Sequence, residues 1–155
     1  MTDSDPTPAP ADPPLFVLLN EIGIIAQLSQ NRFEAIQPDG LRMSHFVLLN
    51  HLARVGDGTT PLRLARALQL AKSAITNTLQ RLEERGLIRV EPDPEDGRGR
   101  RVWLTPAGRE RRAAGIRTAV EAFALLEGVA SPAMLDTIIP ALRSLRQELD
   151  RAREG

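Results

Sequence analysis

Few side chains in this sequence could carry chemistry, and their spacing rules out most reactions. His45 and His51 are the only histidines, six residues apart on one predicted helix, so their rings do not share a face. No cysteine stands anywhere to complete a metal site, and its absence also excludes disulfides, thiolate nucleophiles and thiol redox sensing. Glu83 and Glu84 are adjacent and point in different directions along a helix, so they cannot work as an acid–base pair. Ser44, Ser73 and Ser131 each stand at a predicted helix start, where capping accounts for them. The run Gly97-Arg98-Gly99-Arg100 lacks the strand, helix and spacing of a phosphate-binding loop. No enzyme, metal or cofactor is expected.

What remains is chemistry of binding. On a predicted helix from about Lys72 to Arg85, Ile75, Leu79 and Leu82 fall in one narrow sector and must face a core. The opposite sector holds Ser73, Asn77 and Gln80, with Thr76 and Arg81 on its flanks and Lys72 at the start. Hydroxyls, amides and guanidinium groups of this kind bond phosphates and base edges. A second cluster lies in the loop after Glu91. Arg98, between two glycines, can reach into a narrow minor groove, and Asp96 two residues earlier is expected to hold its guanidinium by a charge-assisted bond. Arg100 and Arg101 are expected to meet phosphates.

The elements that must position these groups follow from hydrophobic period and breakers. Residues 1–14 hold five prolines and three aspartates and read as a disordered tail. From Leu15 apolar residues recur at helical spacing as far as Ile36, until Pro38, Asp39 and Gly40 stop them. Ser44 is the expected cap of a second helix that ends at Gly56, Asp57 and Gly58. Thr60 and Pro61 open a third, and the helix from Lys72 follows after a short link and closes on Gly86. Residues 87–91 and 101–104 are predicted strands joined by a long charged tip. Thr105-Pro106 and Ser131-Pro132 open two further helices, the last with Leu135, Ile138, Ile139, Leu142, Leu145 and Leu149 on one stripe. The expected fold is mainly α, a winged helix-turn-helix with a two-stranded wing.

Charge is distributed to match. The 155 residues carry 20 basic and 20 acidic side chains, yet residues 44–112 hold 13 basic against 8 acidic while both flanks are net acidic. A positive segment with a helix-turn-helix outline is the footprint of a duplex binder. Five aromatic residues are too few for a base-stacking platform. No apolar run approaches the ~20 residues needed to span a bilayer, so a cytoplasmic protein without a membrane partner is expected.

The run from Leu62 to Gly108, LRLARALQLAKSAITNTLQRLEERGLIRVEPDPEDGRGRRVWLTPAG, resembles the winged core of the MarR family of bacterial transcriptional regulators. The most specific part is Asp93, Asp96 and Arg98 followed by Leu104, Thr105 and Gly108, similar to the family's Asp-x-Arg wing and Leu-Thr-x-x-Gly helix entry. The sequence departs from the pattern at Val90, where many members carry arginine, and at Ser44 and His45, where Thr and Gln often stand. The resemblance implies one domain over 15–155, with 15–43 and 113–155 as dimerisation helices and 44–112 as the winged helix-turn-helix. It implies a homodimeric, sequence-specific regulator of double-stranded DNA, usually a ligand-responsive repressor bound to an inverted repeat. It further implies a pocket for a small aromatic or anionic effector, for which Phe16, Arg42, His45 and His51 are the candidates here. The competing reading is a winged-helix protein-interaction module that does not bind DNA.

Overall fold

The computed structural model describes residues 12–154 apart from Pro38 and Asp57. The predicted tail therefore lies almost wholly outside the described residues, as do two of the predicted breakers. The order of elements is α1 (Pro14–Ile36), α2 (Met43–Val55), α3 (Pro61–Ala67), α4 (Lys72–Glu84), β1 (Ile88–Pro92), β2 (Arg100–Leu104), α5 (Pro106–Phe123), a 3-10 turn at Ala124–Leu126, and α6 (Pro132–Glu154). The chain divides into two compact units, one up to Gly115 and one from Ile116.

Pro14, Pro61, Pro106 and Pro132 each begin a helix, where the missing N–H would have had no intrahelical partner. Pro14 thus belongs to α1 and not to a tail. Three predicted caps are in place: the hydroxyl oxygens of Thr60, Thr105 and Ser131 accept from Arg63 N (3.3 Å), Gly108 N (3.0 Å) and Met134 N (3.3 Å). Ser44 and Ser73 are not caps, since they fall inside α2 and α4, whose N-caps are Arg42 and Ala71. At the start of α2 the Arg42 N–H donates to His45 Nδ1 (3.4 Å), and the Met43 N–H donates to the carboxylate of Glu34 on α1 (2.8 Å). A side chain from the preceding helix takes over the work of a local cap.

In the first unit Phe33 of α1, Leu48, Leu49 and Leu52 of α2, Leu64 of α3, Ile75 and Leu82 of α4, and Val102 of β2 are fully buried. The rings of Phe33 and Phe46 lie 5.0 Å apart, which ties α1 to α2. The α3–α4 turn bends through Gln69 at φ +53°, the left-handed region, although no glycine marks it. The strands pair antiparallel with Ile88 opposite Leu104 and Pro92 opposite Arg100, one residue longer toward the tip than expected. Thr59 adds a bridge on the outer side of β2, where the Val102 N–H donates to its carbonyl (2.9 Å).

The entry to α5 is the tightest point. The Thr105 hydroxyl donates to the carbonyl of Gly86 (2.7 Å), and the Thr105 N–H to that of Leu87 (3.2 Å). Gly108 then passes so close that a Cβ there would sit 2.0 Å from the Leu87 carbonyl oxygen. The Leu-Thr-x-x-Gly pattern is therefore a cap followed by a residue with no room for a side chain.

Both units carry unpartnered apolar rows. On α1, Leu15, Phe16, Leu19, Ile25 and Leu28 are exposed, and on α6 so are Leu135, Ile139, Leu142 and Leu149. Pro140 lies inside α6 without ending it. Among the described residues, no helix is long and apolar enough to cross a membrane.

Candidate nucleic-acid interface

Helix α4 separates its two faces as the sequence indicates. Ile75, Thr78, Leu79 and Leu82 are buried, whereas Lys72, Ser73, Thr76, Asn77, Gln80 and Arg81 are exposed. Its N-cap is Ala71, which offers no side-chain acceptor, so the first N–H groups of the helix are left open to an anion. The exposed groups are not equally available. Thr76 Oγ1 donates back to the Lys72 carbonyl (2.8 Å), and Gln80 Nε2 donates to Glu84 Oε1 (3.0 Å). The side chains of Lys72, Ser73, Asn77 and Arg81 have no hydrogen bond or ion pair among the described residues.

The wing is more rigid than a long charged tip. The Asp93 N–H donates to the Gly99 carbonyl (2.9 Å) and the Gly99 N–H to that of Asp96 (2.8 Å), closing residues 93–99 on themselves. Two expectations are corrected here. Asp96 Oδ1 accepts from the backbone N–H of Arg98 (3.0 Å), so it shapes the turn and does not hold the guanidinium. Arg101 is no free phosphate ligand: its Nε meets Asp93 Oδ1 (3.0 Å), one terminal nitrogen meets Glu95 (3.2 Å), and the other donates to the Gly58 carbonyl (3.3 Å). That bond to Arg101 holds the Asp93 carboxyl below its ordinary range and raises the guanidinium's own pKa. Arg98 and Arg100 remain exposed and have no side-chain partner among the described residues.

The four proposed effector residues do not converge. Arg42 and His45 line a cavity of about 260 Å³ together with Ser44, Asn77, Thr78 and Arg81. His51 lines a separate one with Thr59, Arg63 and Arg101, and Phe16 lies on α1 with 59% of its surface exposed. His45 is buried where the start of α2 meets α4. Burial, then the charges of Arg85, Arg81 and Arg42, push its pKa down against the pull of Glu34. Burial and Arg54 do the same to His51.

One cluster carries no signal in the sequence. Arg111 of α5 donates to both carboxylate oxygens of Asp39 (2.9 and 2.6 Å) and to Gln37 Oε1 (2.7 Å), and Arg85 at the end of α4 pairs with the same carboxylate. These partners lie 46 to 74 residues apart, beyond any local pattern. Among the described residues no three His, Cys, Asp or Glu side chains gather as a metal site would require.

The arrangement of α3, α4 and a hairpin wing, entered by a capped α5, has a counterpart among known proteins: the family described as the MarR family matches residues 39–99. Over that stretch the chain is similar to the MarR family. Members are transcription regulators and not enzymes. The transcriptional activatory protein BadR of Rhodopseudomonas palustris is 34% identical over 77 residues, 48% of this chain and 44% of its own length. The chain spans less than half the length of the curated relatives it matches. A crystal structure of MarR, 26% identical, superposes with a TM-score of 0.80 over 96% of this chain and 99% of that one. BpsR of Bordetella bronchiseptica, whose structure is described as explaining regulation of its DNA binding by 6-hydroxynicotinic acid, is 25% identical with a TM-score of 0.71, covering 84% and 98%. The MarR fold therefore extends beyond the matched segment to the flanking helices.

Proposed function

We propose that this chain is a sequence-specific, DNA-binding transcriptional regulator that acts in the cytoplasm as a homodimer on an inverted repeat. The observation that carries the reading is the open face of α4. Lys72, Ser73, Asn77 and Arg81 stand exposed and unpaired along a helix whose start has no side-chain cap, with Arg98 and Arg100 exposed and unpaired on the wing beside it. A helix presented in this way fits the major groove, about 12 Å wide, while the wing reaches the neighbouring backbone or minor groove. Residues 44–112 read the duplex. Residues 15–43 and 113–155 supply the dimer contacts, since the exposed rows on α1 and α6 are apolar enough to require a partner. A two-fold dimer presents two copies of α4, and hence two half-sites.

Control by a small aromatic or anionic molecule is part of the proposal, supported by what is described for BpsR. Repression is the output that the family resemblance favours, and the description of BadR as an activatory protein supports activation as the second reading. Selection of bound duplexes from random DNA tests the core of it. An enriched two-fold motif is the expected result, and failure to enrich any sequence, with no duplex bound at low salt, leaves the protein-interaction reading in its place.

A further inference from the structure

The cavity between the start of α2 and α4 has a one-sided chemistry. Arg42, Ser44, Asn77 and Arg81 stand exposed around it, and His45 closes its inner side. No carboxylate lines it. Glu34, the nearest acid to act on His45, has its Oε1 engaged by the Met43 N–H at 2.8 Å. The His45 ring has a fixed tautomer, because Nδ1 accepts the Arg42 N–H, which leaves the ring proton of the neutral imidazole on Nε2. Three cations face that ring: Arg42 ahead of its own helix, and Arg81 and Arg85 from α4. Burial first, and then these three charges, lower its pKa, so the neutral ring donates without adding a further repelling charge. Guanidinium groups, an amide, a hydroxyl and an imidazole N–H around one space, without a counter-anion, describe the coordination shell of an oxyanion.

We propose that this cavity seats one backbone phosphate of the bound duplex, with Arg42 and Arg81 supplying the charge and His45 Nε2–H a directed hydrogen bond. The proposal rests on the DNA reading above and names the residues that grip the strand beside the groove. DNA is the favoured source of the oxyanion because Asn77 and Arg81 continue, at four-residue spacing, the exposed row that begins at Ser73. A helix lying in the groove along that row brings the flanking strand to the α2 side.

The experiment uses the full chain and a labelled duplex of mixed sequence, since a phosphate contact does not depend on sequence. Anisotropy is read across a salt series. Arg42→Gln and Arg81→Gln should each lower the salt slope by about 1, and by about 2 between them, because the two share one phosphate per subunit at roughly 0.9 each. His45→Asn keeps an acceptor near Nδ1 and loses the Nε2 donor, so affinity should fall about tenfold or more while urea stability holds, as for loss of charge-assisted bonds in both subunits. His45→Gln restores a donor at the Nε2 distance and should bind like the parent. If all four variants match the parent, or if His45→Asn loses stability and affinity together and the two arginine variants keep the parental slope, the seat does not exist. If inorganic phosphate displaces the duplex from the parent beyond an equal ionic strength of chloride, yet not from His45→Asn, the two compete for one seat and the proposal is supported. A parent that binds no duplex at all defeats the DNA reading itself, a result distinct from these.

Discussion

Replacing Gly108 with alanine sets helix propensity against packing, and the sign of the outcome decides between them. Alanine is the better helix former by about 1 kcal/mol, so a Gly108 that served no purpose would yield a more stable protein when replaced. The added methyl group would lie 2.0 Å from the Leu87 carbonyl oxygen and 2.7 Å from Leu104 Cδ1. Carbon and oxygen make weak contacts at about 3.3–3.6 Å, so the first turn of α5 must retreat by on the order of 1 Å. That retreat stretches the bonds from Thr105 to the carbonyls of Gly86 and Leu87. Overpacking costs about 1–3 kcal/mol and each weakened hydrogen bond about 1 kcal/mol, so a net loss of roughly 2–3 kcal/mol is expected. Urea unfolding at one fixed protein concentration measures it, because the stability of the proposed dimer would depend on concentration. Gly97→Ala is the control: nothing lies within 4 Å of its Cβ position, and its φ is not in the left-handed range. It should be neutral or stabilising by up to about 1 kcal/mol. A Gly108→Ala protein as stable as the parent would refute the close approach.

On the wing, Arg98→Ala should lower the salt slope of duplex binding by about 2 with stability changed by less than about 0.5 kcal/mol, whereas Asp96→Asn, which retains an acceptor for the Arg98 N–H, should bind within a few-fold of the parent. Arg101→Gln should instead loosen residues 93–99, read as faster amide exchange there; unchanged exchange would show that Asp93 and Glu95 do not depend on it. Leu142→Asp should give monomers or unfolded chain in sedimentation, and a normal dimer would remove α6 from the interface. Asp39, bonded first of all to Arg111, titrates below the ordinary aspartate range in the folded protein, so its contribution is complete above that range and is lost as pH falls through the lowered value. The acid limb of the stability profile should accordingly flatten in Asp39→Asn, and an identical profile would show the pair to be without effect.

The elements were legible because each is written locally. Four prolines open helices at their first residue, Gly86 at φ +67° closes α4, and Ile75, Leu79 and Leu82 recur at helical spacing. What escaped is what the chain assembles across distance. Ser44 looked like a cap, but Glu34 reaches across from α1 and shifts the start of α2 forward by two residues. Gln69 adopts a conformation that sequence rules assign to glycine, so the α3–α4 turn carried no marker. Arg101 and Arg98 read alike as wing arginines, and only the acids folded back against Arg101 separate a strut from a free hand. The basic face of α4 was readable, but not its internal bonds at Thr76 and Gln80, which leave Asn77 as the freer amide.

The single indole of the protein stands in β2, and no tyrosine is present to share its absorbance. Trp103 packs edge-on against Gly58, whose missing Cβ would lie 3.0 Å from the ring, and the Arg89 guanidinium sits 5.5 Å from its centroid on the paired strand. Its N–H is buried without an acceptor among the described residues. Ultraviolet emission excited at the red edge therefore comes from one place, the root of the wing, and from one environment whose polarity changes as soon as the hairpin lifts from the 58–59 segment. The protein carries its own optical gauge: intensity and colour of that emission can follow the seating of the wing on a duplex, or its release in acid, in unlabelled material and in real time.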